Sequence, residues 1–583
     1  MNNEKTNVMT PVETLNAGER GEESRRDEWR AIAELLFPQW KDFPSIEQLR
    51  EKYPLRALPA GAMVTRVGPS PTGMMHIGGL YVALINYKLA RQTGGVFFLR
   101  IEDTDTKRSV KGAYETIVNA LIDYQLIPDE GPIRTQEGQY LERGHYSPYV
   151  QTDRQGIYLA CAFDLVRRGI LYPCFMSETE LEQIREEQRA KDLRPGIYGP
   201  WAMSRHLSAA EVEAKLKVHG SFVLRLHSTG DDDRSVSWDD GVRGRLTLPE
   251  YNIDAVMIKS DGIPTYHFAH LVDDHLMGTT HVIRAEEWIS SVPLHLQLFE
   301  RMGWQAPCYA HVSAIQKIGE KGGKRKLSKS KDPEADVQFY WRNGFPREAV
   351  IDYLLNLANP DFEEWRQAHP GAPHSSFQLS LEKMGQSSPL ADMVKLESIS
   401  REVLNRMPTE RLYEDSYAWA KDYAPELASE MAKDADYTCR ALDVERDPEA
   451  SAKRLVTLTD LKTLLAPFFD RFLPDVDQLP FPPNVSGEDR NDILTLVKQR
   501  YQEGDSSQQF FERIKEIAAE LGFAPTVKEY KKHAGEYKGH VGDVAMIVRV
   551  AMFGSTRSPD LGLVMQILGR ERVVRRCERA MRA

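Results

Sequence analysis

Residues 66–109 read RVGPSPTGMMHIGGLYVALINYKLARQTGGVFFLRIEDTDTKRS, and the reading of this stretch decides the fold. Ala62–Val67 is a short apolar run ahead of a turn rich in glycine and proline, the pattern of a buried parallel strand. Gly68, Pro69, Pro71 and Gly73 exclude both helix and strand, so the backbone turns there. From Gly78 onward Leu80, Leu84 and Tyr87, with Ala83 and Ala90 beside them, recur at helical spacing. Gly94-Gly95 ends that helix, and Val96–Ile101 supplies a second apolar strand. The unit is βαβ, and its helix begins at the carboxyl end of a parallel sheet. Free backbone N–H groups and the helix dipole converge there and favour an anion. Gly78 and Gly79 remove side chains where a nucleotide would lie against the backbone, and His76 can donate to a phosphate oxygen.

Working outward, residues 326–330 read KLSKS. Lys321, Lys324, Arg325, Lys326, Lys329 and Lys331 crowd around Gly322-Gly323. Taken alone, such a run is a solvated face, and a lone His-x-Gly-Gly turn is a weak nucleotide signal. Their combination suits activation of a carboxylate by ATP, which needs a nest for the triphosphate and cations to neutralise it as a P–O bond breaks. At 583 residues the chain spans several domains. A net charge of −11 argues against a generally adhesive nucleic-acid binder but leaves local basic patches free to act. The start, MNNEKTNVMT, is polar, and no run approaches transmembrane length, so no membrane partner is expected. The five cysteines, Cys161, Cys174, Cys308, Cys439 and Cys577, form no framework, which fits a reducing cytoplasm. Residues 1–28 are charged and poor in large apolar groups and are expected to be disordered, with helical spacing over Trp29–Phe37.

These segments resemble the class I aminoacyl-tRNA synthetases and, within them, the glutamyl-tRNA synthetases. MHIGG is similar to the HIGH signature of that class and KLSKS to its KMSKS signature. PSPTG-x-x-HIGG followed by LRIEDTD resembles the glutamate branch, whereas glutamine-specific relatives usually carry a PEPNG-type turn. A third block, SDGIPTYHFAHLVDDHLMGTTHVIRAEEW at 260–288, matches over its whole length. The resemblance implies an α/β fold: a Rossmann-like parallel-sheet catalytic domain, an inserted α+β acceptor-binding domain, a connecting domain and an all-helical anticodon-binding region of the bacterial type. The expected boundaries are an extension over 1–59, catalytic halves at 60–155 and 258–312, the insertion at 156–257, the connecting domain with the lysine loop at 313–400, and helices over 401–583. No function is read for the extension, which lies before the point where such enzymes usually begin.

The implied chemistry is ATP-dependent attachment of L-glutamate to the 3′ end of tRNA-Glu through a glutamyl adenylate, by a cytoplasmic monomer, with ATP as substrate and Mg²⁺ beside it. Glutamate carries two carboxylates and one ammonium, so its pocket should offer cations and an anion, and arginine's planar fork suits carboxylates. By resemblance Arg66, Ser70, Glu102, Tyr266 and Arg284 bind glutamate, with Glu102 taking the ammonium. His76, Gly78, Gly79, Glu287, Trp288 and Lys329 hold ATP, and His76, Lys326 and Lys329 are the catalytic groups. His270 departs from the family, which commonly has a small amide or an apolar residue there; it either replaces the amide's hydrogen bond or is a satisfied core histidine. Some relatives hold zinc in the insertion through a C-x-C pair. Here YPCFMSETE leaves Cys174 alone, a single thiolate cannot build a tetrahedral site, and no zinc or other resident metal is expected. The last segment, ILGRERVVRRCERAMRA, is as consistent with core packing plus a solvated face as with RNA contact. Three rivals are a truncated relative that glutamylates a modified tRNA base, an enzyme that also charges tRNA-Gln, and a non-catalytic tRNA-binding paralogue. The length of the C-terminal half opposes the first, and intact His76, Glu102 and Lys329 oppose the last.

Overall fold

A computed structural model describes residues 17–320, 322–446, 454–533 and 535–583, with side chains from residue 24 onward. The chain divides into two compact units, one holding residues 1–337, 356–365 and 373–391 and the other 338–355, 366–372 and 392–583.

The first unit is built on the predicted βαβ element. The strand Val64–Val67 is buried along its whole length and pairs in parallel with Val96–Leu99, Val64 opposite Val96 and Val67 opposite Leu99. Between them runs the helix Ile77–Gln92. A second parallel pair joins His281–Ala285 to Cys308–Val312. Thr280 links the pairs: its N–H donates to the Val64 carbonyl at 3.0 Å and its hydroxyl accepts from Val64 N at 2.8 Å. The result is a parallel sheet whose strands end on one side, where side chains at successive strand ends can converge on a ligand.

The inserted segment is α+β, as expected. Leu171–Cys174, Val223–Leu226 and Val256–Ile258 form an antiparallel sheet, and Ser235–Asp240 pairs with Gly244–Pro249 as a hairpin. Helices Glu178–Ala190 and Ala209–His219 start at Ser177 and Ser208, each closing a capping box with the glutamate three residues on. Cys174 faces the core and is buried.

The expectation of disorder over 1–28 fails where it can be compared: a helix runs from Ala17 to Leu36, and residues 1–16 lie outside the described residues. Packing explains the difference. Ile32, Ala33, Leu36 and Phe37 join the core of the first unit, and Trp29 packs against it. Composition alone does not reveal the partner surface that this amphipathic stripe meets.

The second unit contains helices and no β-strand among the described residues. Its core gathers Leu412, Trp419, Tyr437, Phe468, Ile493, Ile547 and Met565. In the terminal helix Leu561–Ala580 most of the arginines are spoken for by protein. Arg575 and Arg576 pair with Asp470, Arg570 donates to the Tyr501 carbonyl, Arg579 donates to the Pro474 carbonyl, and Arg572 lies 3.9 Å over the Tyr437 ring. The helix has a packed face with Val573, Arg576 and Cys577 buried, and a solvated one with Arg570 and Arg575 exposed.

Candidate active site

Every residue singled out for the site lines one cavity of about 1200 Å³ at the carboxyl end of the parallel strands: Arg66, Ser70, His76, Gly78, Gly79, Glu102, Tyr266, Arg284, Glu287, Trp288, Lys326 and Lys329. His270 does not line it.

One wall is the helix start. His76 is the N-cap of Ile77–Gln92, in extended backbone, and its Nδ1 accepts from Gly78 N at 2.9 Å. That bond fixes the tautomer, so the ring proton sits on Nε2, where the Leu327 carbonyl is its partner. Burial first and Lys329 second hold the imidazole below its ordinary pKa, so it is neutral at neutral pH. A Cβ at Gly79 would make only ordinary contact with the Met75 side chain, 3.8 Å away. The protein itself leaves room for a methyl there, on the cavity side of the helix start.

The floor carries the amino-acid candidates. Arg66, at the third position of the first strand, places Nε 3.1 Å from Asp274 Oδ1 and Nη2 3.2 Å from Asp274 Oδ2. Glu102 follows the second strand and accepts from Arg100 Nη2 at 2.9 Å. Burial raises its carboxyl above the usual range, against the pull of Arg100 and Arg66. A Cβ at Gly68 would lie 2.2 Å from Glu102 Oε1, so any larger residue there would force this carboxylate to move. Arg284, on the His281–Ala285 strand, donates from Nη1 to the Tyr266 hydroxyl at 3.1 Å and from Nε to His311 Nε2 at 3.1 Å. Tyr266 lies with its ring 4.2 Å from that of Trp288, so the two aromatic rings line the cavity side by side. Ser70 is exposed in the turn.

The rim is the lysine loop. Gln316–Ile318 and Lys324–Lys326 form an antiparallel hairpin; Lys321 lies outside the described residues. Lys326 pairs with Glu287. Lys329 is exposed, and partial desolvation at the cavity mouth holds its ammonium below its ordinary pKa, with Asp336 opposing. Among the described residues Lys329 forms no hydrogen bond or ion pair.

Residues 62–367 match the family of class I tRNA synthetases for glutamate and glutamine, catalytic domain, and residues 417–581 match an anticodon-binding domain. The chain is 47% identical over 554 residues to the glutamate–tRNA ligase of Sorangium cellulosum, covering 91% of this chain and 97% of that protein. The glutamate–tRNA ligase of Acetivibrio thermocellus is 43% identical over 555 residues, covering 95% of this chain and 100% of that protein. The chain belongs to the glutamate–tRNA ligases of class I. A crystal structure of a glutamate tRNA ligase from Elizabethkingia meningosepticum in complex with its amino acid superposes with a TM-score of 0.67 at 26% identity, covering 89% of this chain and 99% of that one.

Several groups that organise this ligase-family cavity escaped the sequence reading. Arg100 is fully buried and joins Glu102 to Asp274, at 2.8 Å from the latter. Asp274 also receives Thr279 Oγ1 at 3.0 Å and faces His270 Nδ1 at 2.5 Å, and Arg100 and Arg66 hold its carboxyl well below the usual range despite burial. His270 completes its bonding with the Tyr309 hydroxyl at 3.0 Å from Nε2 and stacks on Tyr266. Of the two readings left open for His270, its bonding and position are those of the satisfied core histidine. In the loop, Asp332 is the knot: Arg325 binds it through both terminal nitrogens at 2.6 and 2.7 Å, Lys317 reaches it at 3.1 Å, and Ser328 N donates to it at 2.9 Å. SKSKDPEAD departs from the family's SKRHG, and this aspartate ties the departing loop together. The LVDDH run names Asp273 and Asp274 but not their buried arginine partners, Arg66, Arg100 and Arg154, which come from segments more than a hundred residues away.

Proposed function

We propose that this chain joins L-glutamate to the 3′ end of tRNA-Glu, acting as a monomer in the cytoplasm. A glutamate carboxylate attacks the α-phosphorus of ATP, pyrophosphate leaves, and a ribose hydroxyl of the terminal adenosine takes the acyl group from the adenylate. Arg284 and Arg66 receive the carboxylates, Glu102 the ammonium, and Tyr266 and Ser70 complete the pocket. The helix start at His76, Gly78 and Gly79 holds the phosphates, Glu287 and Trp288 bound the nucleotide, and Lys329, assisted by Lys326, neutralises charge between the α- and β-phosphates. Mg²⁺ accompanies ATP through phosphates and water. No structural zinc is required, since Cys174 has no second thiolate beside it in sequence, and elemental analysis should find none in stoichiometric amount.

The observation that carries this reading is Arg284. A buried guanidinium whose partners are neutral acceptors, facing the same cavity as an N-terminal helix nest, is a place for an anionic ligand. Glutamate-dependent ATP–pyrophosphate exchange, with tRNA present, tests the activation step. Charging of purified tRNA-Glu and tRNA-Gln side by side tests the acceptor. Exchange that is absent, or equally driven by glutamine, would overturn the assignment.

A further inference from the structure

Arg284 is buried, and its bonding partners are the Tyr266 hydroxyl, His311 Nε2, His295 Nδ1 at 3.3 Å and the Trp288 carbonyl at 3.4 Å. None is a carboxylate. A guanidinium nitrogen can only donate, so His311 Nε2 accepts and its ring proton sits on Nδ1. That nitrogen faces Asp240 Oδ2 at 2.5 Å. The other oxygen, Oδ1, accepts three backbone N–H groups: His311 at 3.1 Å, Val242 at 3.1 Å and Arg243 at 3.0 Å. Asp240 is itself buried.

Asp240 belongs to the hairpin of the inserted segment, far in sequence from Arg284. The hairpin tip is laid on the Cys308–Val312 strand: Gly241 N donates to the Tyr309 carbonyl at 2.8 Å, and Arg243 Nε to the His311 carbonyl at 3.2 Å. A Cβ at Gly241 would lie 3.1 Å from both Ala310 Cβ and Leu381 Cδ1, so the approach is set by glycine.

We propose that Asp240 and His311 are positioning residues for Arg284: the carboxylate fixes the tautomer of the imidazole, the imidazole fixes the guanidinium, and the counter-charge is supplied at one remove. This arrangement holds Arg284 in place without occupying it, leaving its full charge for the substrate carboxylate. A carboxylate in direct contact would compete with that substrate. The inference rests on Arg284 being a glutamate-binding cation.

Asp240→Asn is the decisive variant. The three backbone donors keep the amide oxygen at the Oδ1 position, so the amide nitrogen must face His311 Nδ1. The ring then takes the other tautomer and turns an N–H toward Arg284 Nε, donor against donor. His311→Gln keeps both bonds, accepting from Arg284 and donating to Asp240, whereas His311→Leu keeps neither. In ATP–pyrophosphate exchange by the full chain with tRNA present, Asp240→Asn and His311→Leu should raise the glutamate KM on the order of ten- to a hundredfold, the worth of a hydrogen bond to a charged group. The ATP KM should hold, and His311→Gln should stay near wild type. A wild-type glutamate KM in Asp240→Asn, or an equal rise in both KM values, overturns the relay. Should Asp240→Asn fail to fold, the contrast between His311→Gln and His311→Leu decides alone. Arg284→Ala separates the two levels: unchanged glutamate use in that variant sinks the underlying site, whereas a defect there with none in the relay variants sinks only the relay.

Discussion

The floor and the rim of the cavity are built on opposite plans. On the floor Arg66, Arg100, Glu102, Asp274 and Arg284 are buried and bonded to protein before any ligand arrives. On the rim Lys326 and Lys329 are exposed, and Lys329 makes no bond among the described residues. Under the proposed function, buried charges that lost their water on folding meet the bound substrate and should govern KM. An exposed lysine that meets the phosphates as charge moves onto them should govern kcat. The division of labour is the teaching of the contrast, and it can be broken from either side.

The largest effect is expected at the rim. Lys329→Ala should slow adenylate formation on the order of 10²–10³-fold, by analogy with loss of an oxyanion-type donor, and lower kcat and kcat/KM together. Glutamate KM and tRNA affinity should be nearly intact. Full adenylation with weakened tRNA binding would move the lysine from phosphate to RNA contact and erase the contrast.

On the floor the effects should be smaller in rate and appear in glutamate binding, and the two arginines should part company. Arg284→Ala leaves behind neutral acceptors and no bare carboxylate in contact, so glutamate KM should rise on the order of ten- to a hundredfold with a smaller loss of fold stability than at Arg66. Arg66→Ala instead strips a partner from Asp274, which is buried and keeps only Arg100, His270 and Thr279. Its melting temperature should fall, by about 3 kcal/mol of stability, along with glutamate use. Equal stability losses in both variants would show that Arg284 also neutralises something in the core.

The residues that touch the cavity were legible because they sit in ordered motifs at strand ends and at a helix start. Arg66 and Glu102 bracket the βαβ unit, and Lys329 follows a glycine hinge. What supports them was not. Arg100 reads as one more charged residue in LRIED, yet it is fully buried because Asp274 arrives from 174 residues away. Asp240 reads as a turn residue in WDDGVRG, and only the docking of the hairpin on the Tyr309 strand turns it inward. The helix Ala17–Leu36 was expected only from Trp29 onward, and its charged start was read as disorder, because local composition carries no record of the surface a segment meets.

The smallest expected effect distinguishes floor from rim by acid. Burial holds His267 and His270 at about pKa 4, against an ordinary 6.5, with Arg284 adding to the depression of His267 and Asp274 opposing that of His270. Because these folded-state values lie below the unfolded one, the stability they contribute is whole above pH 6.5 and is lost as pH falls toward 4. Asp274, whose carboxyl lies well below its ordinary 3.8, works in the same direction but only under more acid conditions. Between pH 6.5 and 4 the loss therefore belongs to the histidines. At pH 5.5 each should have given up about 1 kcal/mol, seen as a falling melting temperature between pH 7 and 5. His270→Gln keeps a donor toward Asp274 and an acceptor toward Tyr309 but takes up no proton, so it should flatten that slope. Lys329→Ala should leave the share of His267 and His270 as it was and relieve only the part of the His76 depression that Lys329 causes. Parallel curves for the wild type and His270→Gln would mean that the floor tolerates a charged imidazole and is less rigidly neutral than its bonding implies.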